Sequence, residues 1–337
     1  MHNPIPHTMR AMVIRRTGSP EVFEPAELPI PVPGPGQVLI KVWATSANPI
    51  DCKVRSGAVS MLPPFPAVLH GDLAGTVAAC GPNVQRFREG DRVFGLAGWM
   101  DREGGALAEY VRCDERLIAR APRSIPLEEC AALPVAGLAA WQALRRKIHL
   151  HEGMRLLVMG GAGGAGHFGV QIGKACGAQV AAAVSSDEKA DVARRAGADW
   201  IVRHDQEEPQ TYTARLTDGR GFDAVFDTAG GQNLLRSFAA AKPGGDIVTI
   251  AARATVDLSM MHAKALNLHV VFVLLPILRG EGRQIIGEDL ARIAELVDAG
   301  LLRPIIYPKA FAMDSVGEAH RLLETGSHYG KLIVRIA

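Results

Sequence analysis

The chain has 337 residues, 48% hydrophobic and 21% charged, with a formal net charge of +2. That balance supports buried cores, excludes a disordered chain, and leaves no charged field for nucleic acid or an anionic membrane. The length calls for two domains. The five cysteines (52, 80, 113, 130 and 176) include no C-x-x-C pair, which argues against a disulfide framework or a cysteine zinc cage and fits a reducing cytoplasm.

At the start, "MHNPIPHTMRAMVIRR" carries only a four-residue apolar run, too short for a signal-peptide core. The first third then reads as β-rich. "AMVIRR", "QVLIKVWATSA", "AGTVAACG", "DRVFGLAG" and "LAEYVRC" are short, rich in branched residues and separated by Gly, Pro and Asp. "PIPVPGPG" (29–36) is an extended connector, because its prolines lack the backbone donor a helix needs. Near residue 130 the pattern changes, and "PLEECAALPVAGLAAWQALRRK" predicts helix. From Arg155 strands and helices alternate. "RLLVMG", "AQVAAAVS", "WIVRH", "FDAVFDTAG" and "GDIVTIAA" read as strands, with helices over "GHFGVQIGKACG" and "DEKADVARRAG". Alternation of this kind predicts a parallel sheet with right-handed crossovers. The longest apolar run, around "VVFVLLPIL" (270–278), is well short of the roughly 20 residues that span a bilayer, so a soluble cytoplasmic protein is expected. Beyond it, Leu290, Ile293, Leu296 and Val297 fall at helical spacing with Gly300 as a stop. "GKLIVRIA" closes the chain as a strand that returns to the first domain.

"VMGGAGGAGHFGVQ" holds Gly161-x-Gly163-x-x-Gly166 between a predicted strand and a predicted helix. In that context the three glycines serve a tight turn, the approach of a pyrophosphate and close helix–strand packing. The free N–H groups near Gly164 and Ala165 then face the phosphates. After the second strand of this unit, "VSSDEK" places Ser185 where an NAD enzyme carries an acid. Ser185, Ser186 and Lys189, with Arg203 and His204 after the next strand, suit a 2′-phosphate and point to NADP(H). Asp187 either opposes that choice or simply starts the next helix, where a carboxylate is favoured.

The chain resembles the medium-chain dehydrogenases/reductases, and among them the zinc-independent quinone oxidoreductases (zeta-crystallin and the plant enone reductases). The likeness rests on "NPIDCKVRSG", "HGDLAGTVAACGPNVQRFREGDRVFG", "GALAEYV", "GLAAWQAL", "GGAGGAGHFGVQIGKACGA", "FDAVFDTAGG" and "GKLIV" in that order. It implies an α/β chain with a GroES-like catalytic domain over 1–129 and 277–337 and a Rossmann domain over 130–276. It also implies a homodimer through the edge strand "LHVVFVLL" (268–275), and it adds Ala251 to the cofactor-binding residues.

Zinc-dependent relatives carry a cysteine and a histidine where this chain has Asn48 and Gly71, and "GLAGWMDREGGALAEYV" has no cysteine for a structural ion. No metal is expected, since zinc needs several converging N or S donors. His70 is left as a packed residue, a proton relay or a displaced ligand, and Cys52 as a small buried residue. Without a metal to acidify an alcohol, conjugated carbonyls are the easier substrates: hydride attack leaves charge on an oxygen that a few donors can stabilise. The resemblance puts Asn48 beside the nicotinamide as a cofactor-binding and catalytic residue. Lys53 is the second catalytic candidate, as a donor to an enolate or, otherwise, a surface lysine or a partner of Asp51. Met61, Leu62, Phe65, Phe272 and Leu274 are candidates to line an apolar pocket, with core packing the alternative for each. The expected function is NADPH-dependent reduction of a quinone or an α,β-unsaturated carbonyl, with no nucleic-acid or membrane partner. The alternatives are an NADPH-binding protein without turnover and a zinc-type alcohol dehydrogenase.

Overall fold

The structure is a computed structural model and describes residues 5–59, 61, 64–98 and 104–336. The chain divides into two compact units. One comprises Met1–Leu138, Leu274–Gly300 and Ile306–Ala337; the other comprises Ala139–Val273 and Leu301–Ile305. No helix among the described residues is long and apolar enough to cross a membrane.

The first unit is the β-rich one. Its larger sheet runs Phe311–Ala312, Leu332–Arg335, Gln37–Ala47, Asp72–Cys80, Arg92–Leu96 and Ile118–Arg120, and Tyr110–Asp114 also pairs with Gln37–Ala47. A smaller sheet runs Phe23–Pro29, Thr8–Ile14 and Ala67–Val68. The terminal "GKLIV" segment pairs antiparallel with the end of the long third strand, Leu332 opposite Ala47 and Val334 opposite Thr45. Asp72 begins the strand on the other side of Gln37–Ala47. The chain end and Asp72 therefore flank the last residues of one strand, and Asn48 follows directly.

The second unit is the predicted parallel sheet. Its strands lie in the order Trp200–Arg203, Gln179–Val184, Arg155–Met159, Phe222–Asp227, Ala241–Thr249 and Asn267–Val270, every neighbouring pair parallel. Chain order reverses at Arg155–Met159, the strand that leads into the glycine loop, which is where an open α/β sheet offers a crevice at its strand ends. Leu157, Met159, Ala181, Val225, Phe238 and Ile247 form part of the core of this unit. Each fully buried large side chain of that kind contributes about 1.5–3 kcal/mol.

The edge strand is shorter than the predicted 268–275. It ends at Val270, and a helix over Leu275–Arg279 takes up the rest of the apolar run, with Pro276 in its first turn. Proline supplies no ladder donor but suits a helix start.

Gly75 sets the spacing of the strands that carry the site. A Cβ there would lie 2.2 Å from the Lys41 carbonyl oxygen and 2.7 Å from Ile40 Cγ2. Gly75→Ala is expected to destabilise the chain by about 1–3 kcal/mol, as overpacking does. Urea unfolding followed by circular dichroism checks this.

Candidate active site

The segment "SANPIDCKVRSG" turns from strand to helix at Asn48. Asn48 keeps an extended backbone (φ −126°, ψ 155°), Pro49 opens the helix Pro49–Ser56, and Gly57 closes it in the left-handed region at φ 81°. Asp51 accepts the Asn48 backbone N–H through Oδ2 at 2.8 Å, the acidic half of a capping arrangement. Its other oxygen, Oδ1, is buried without a hydrogen-bond partner among the described residues. Burial, and then the nearby Asp72 charge, push the Asp51 carboxyl up to about 8, so it holds its proton at neutral pH.

The Asn48 side chain is engaged at both ends. Its Nδ2 donates to Asp72 Oδ2 at 2.7 Å and reaches Ser46 O at 3.4 Å. Its Oδ1 accepts from Lys331 Nζ at 2.6 Å. Lys331 also donates to Asp72 Oδ2 at 3.2 Å and to Ala47 O at 3.4 Å. Asp72 is fixed further by Ser46 Oγ and, through Oδ1, by the Val135 N–H at 2.8 Å. All of these side chains are buried.

A second chain of bonds runs behind this cluster. Thr45 Oγ1 donates to the Asp72 carbonyl at 2.6 Å and lies 3.2 Å from His70 Nδ1; His70 Nε2 lies 2.8 Å from His320 Nε2. Arg55 Nε donates to His320 Nδ1 at 3.3 Å. Arginine can only donate, so His320 accepts at Nδ1 and donates through Nε2, and His70 accepts at Nε2 and donates to Thr45 through Nδ1. Both rings are neutral in this arrangement. Burial followed by the charge of Arg55 pushes His320 down to about 3, and burial, then His320 and Lys331, hold His70 well below its usual range. The Cys52 thiol lies 3.4 Å from the same His320 nitrogen, and burial lifts it to about 12. His70 is thus a packed, hydrogen-bonded histidine. Its left-handed backbone (φ 72°) costs about 1 kcal/mol or more, which the two ring bonds offset.

Lys53 lies apart from the buried cluster. It is exposed and sits two residues beyond Asp51, about 200° around the helix. With Pro49, Cys52, Ser56, Leu323 and Glu324 it lines a hollow of about 210 Å³. Asp51 is therefore not its partner. Among the apolar candidates Met61 is half-buried, while Phe65 and Phe272 are 45% and 43% exposed. Leu274 is 3% exposed, and its carbonyl accepts from the Ile277 and Leu278 N–H groups at the start of the next helix. Leu62 lies outside the described residues. Sequence reasoning missed Lys331, His320 and Asp72 as residues of this cluster. Lys331 carried a signal, as the charged residue in the apolar closing strand "GKLIV".

In the second unit, the glycine loop fits a dinucleotide. The left-handed residue of the turn is Gly160 (φ 75°), one position before Gly161. Gly161 instead allows close approach to the next strand, since its Cβ would lie 2.6 Å from Ala182 Cβ. A Cβ on Gly166 would lie 2.0 Å from the Gly160 carbonyl oxygen, so only glycine lets the helix Gly166–Ala175 start so close to the strand. A Cβ on Gly163 would lie 3.2 Å from the Gly160 carbonyl oxygen, a tight approach that a glycine avoids. The N–H groups of Gly164 and Ala165 find no partner among the described residues, which suits phosphate oxygens. His167, also missed from sequence, holds the loop from behind. It accepts from the Ile305 N–H at Nε2 (3.1 Å), so its Nδ1 donates to the Gly163 carbonyl at 2.9 Å.

At the expected 2′-phosphate end, Ser185 is exposed just beyond the strand Gln179–Val184. Ser186 caps the helix Asp187–Arg195, its hydroxyl accepting from the Lys189 N–H at 3.2 Å. Arg203 is clamped between Asp187 and Asp205, the latter through Nε at 3.0 Å and NH2 at 2.8 Å. His204 is half-buried, and burial lowers its ring from the usual histidine value. Ala251 is half-buried, its N–H bonded to Thr249 Oγ1 at 3.1 Å.

Residues 34–123 match the alcohol dehydrogenase GroES-like domain, and residues 196–334 match a family described as zinc-binding dehydrogenase. A 2-methylene-furan-3-one reductase of Solanum lycopersicum is 31% identical over 98% of this chain and 80% of its own length. The chain belongs to the quinone oxidoreductase family of the medium-chain dehydrogenases/reductases. A Pseudomonas syringae quinone oxidoreductase structure is 27% identical with a TM-score of 0.86, over 97% of this chain and all of its own. An alcohol dehydrogenase superfamily protein from Novosphingobium aromaticivorans is 36% identical, with a TM-score of 0.92 over 98% of this chain and 100% of its own.

The zinc in the name of the matching family does not fit the donors of this quinone oxidoreductase relative. At Asn48, where the resemblance puts a cysteine ligand in zinc-dependent relatives, the Lys331 ammonium donates to Asn48 Oδ1 and to Asp72 Oδ2. Among the described residues no group of three or more His, Cys, Asp or Glu side chains can hold a metal ion.

The Asp51 proton gives a pH signature. Folding holds the proton up to about pH 8, whereas a free aspartate loses it near 3.8, so stability is greatest in acid and falls as pH rises between those values. Asp51→Asn keeps the acceptor for the Asn48 N–H and removes the titration. Thermal unfolding from pH 5 to 9 is expected to show a flatter profile for the variant and a higher midpoint than the wild type at pH 8 and above.

Proposed function

We propose that this chain is an NADPH-dependent reductase of quinones and α,β-unsaturated carbonyls that works without zinc. The observation that carries the reading is the Asn48–Lys331–Asp72 cluster at the residue where the resemblance puts a zinc ligand, in a chain whose glycine loop also leaves the Gly164 and Ala165 N–H groups without a partner among the described residues. The names of the tomato furanone reductase and of the Pseudomonas quinone oxidoreductase support the substrate class. The printed name of an Arabidopsis relative, 30% identical over 98% of this chain and 80% of its own length, an NADPH-dependent alkenal/one oxidoreductase, supports the cofactor.

Gly163, Gly164, Ala165 and Gly166 would hold the pyrophosphate, with Gly161 fixing the loop against the sheet. Ser185, Ser186, Lys189, Arg203 and His204 would surround the 2′-phosphate, and Ala251 would border the nicotinamide side. NADPH supplies the hydride. The chain's part is to stabilise the oxygen on which negative charge develops. Asn48 has one N–H firmly on Asp72 and the other only loosely on Ser46, so it is placed to donate and not to accept. Lys53 is the exposed cation of the same helix, with no partner among the described residues. The helix turns it away from the cluster, so its long flexible side chain would have to reach round to donate to the enolate and pass on a proton. Met61 and Phe65 would contact the apolar substrate.

A homodimer through the edge of the parallel sheet completes the proposal. Val270, Phe272, Leu275 and Leu278 are exposed on and just after that edge strand, and an exposed apolar edge calls for a covering partner.

NADPH oxidation over a panel of quinones, 2-alkenals and enones is expected, and chelators are expected to leave it unchanged. NADPH binding without turnover on the whole panel would favour a non-catalytic role, and activity dependent on added zinc would overturn the metal-free mechanism. Lys53→Ala is expected to lower kcat/KM by roughly ten-fold, and unchanged rates on every substrate would remove Lys53 from the mechanism. Arg203→Ala is expected to weaken NADPH by about ten-fold and leave NADH unaffected, as read by cofactor fluorescence titration.

A further inference from the structure

We infer that Lys331 supplies the resident cation of this site, in the place a divalent metal would take, and that it acts as a positioning residue by fixing the orientation of the Asn48 amide. The inference rests on the reductase reading for its kinetic consequences, but not for its binding consequences.

The geometry is that of an enclosed cation. Lys331 is 2% exposed, and its three ammonium protons face three oxygens: Asn48 Oδ1 at 2.6 Å, Asp72 Oδ2 at 3.2 Å and the Ala47 carbonyl at 3.4 Å. The charges close as well. Asp72 balances Lys331, and the neighbouring Asp51 carboxyl keeps its proton at neutral pH. A metal ion entering here would meet the ammonium as a like charge. It would also find an amide oxygen, one carboxylate and a backbone carbonyl, none of them the nitrogen or sulfur donors that zinc prefers.

The consequence for the site lies in the amide. An asparagine side chain can turn over and exchange its carbonyl for its NH2. With Oδ1 on Lys331 and Nδ2 on Asp72, the turned state would set the NH2 against an ammonium and the carbonyl oxygen against a carboxylate. Lys331 thereby keeps the donor end of Asn48 available for a developing oxyanion, on which an exposed carbonyl oxygen would be repulsive.

The experiment uses the full chain with Lys331→Ala, which leaves a cavity for an exogenous cation. The variant is expected to lose kcat about ten-fold or more, with KM for NADPH within about two-fold of wild type. Ethylammonium chloride is expected to restore kcat and raise the unfolding midpoint, while sodium chloride and tetramethylammonium chloride at equal ionic strength do neither. Should Lys331→Ala fail to fold, Lys331→Met with Asp72→Asn removes both buried charges together, and the same loss of kcat with unchanged NADPH affinity is expected. A folded variant with wild-type kcat, or one indifferent to ethylammonium in both readouts, would overturn the inference. Should the wild type reduce no acceptor at all, the reductase reading falls, and the ethylammonium-specific rise in unfolding midpoint still decides the role of Lys331.

Discussion

A buried ion pair organises the first unit. Lys331, directly before the last strand, and Asp72, on the strand across the sheet, reach the same point at the end of Gln37–Ala47. Taking two charges out of water costs several kcal/mol, and the pair repays this only when its remaining hydrogen-bonding capacity is met. Here it is met. The ammonium has three acceptors, and the carboxylate has Ser46, Asn48 and the Val135 N–H. The pair thereby ties four distant segments together. Breaking it would leave a buried charge unpaired as well as a bond lost.

The surroundings follow from that pair. Asp51, beside the Asp72 carboxylate and cut off from water, keeps its proton. Two histidines, shut in behind Thr45, stay neutral, and their protons are ordered by the fixed donor Arg55. Cys52, the residue of this segment most easily taken for a metal ligand, has its thiol raised to about 12 beside His320. Side-chain donors in such a setting are preorganised, because each is held by its hydrogen bonds. The second unit uses the same device on a smaller scale. His167, pinned by the Ile305 N–H, fixes the carbonyl of Gly163 in the glycine loop.

Much of the fold was legible in the sequence, because hydrophobic period and turn chemistry are local. The six strands of the parallel sheet and the glycine loop follow from short branched runs and from spacing. The edge strand was read too long, since an apolar run does not say where Pro276 will divert it into a helix. The site was legible only in part. Asn48 stood out because the resemblance puts a ligand at its position, whereas Lys331 lay 283 residues away, just before an apolar strand, and His320 was one residue of an amphipathic helix. Lys53 drew attention by its place in the motif, and the helix turns it away from the cluster.

What the sequence determined by itself is the set of elements and the absence of cysteine and histidine from the metal positions, because both depend on residue type and neighbours along the chain. Only the tertiary structure decided what stands against Asn48. Antiparallel pairing of the chain end with Gln37–Ala47 brings Lys331 to Asn48 and Asp72. The protonation of Asp51 was decided in the same way, since its solvent is removed by residues remote in sequence. Both outcomes depend on distance and dielectric, which belong to the folded arrangement and are not written in any local stretch of residues.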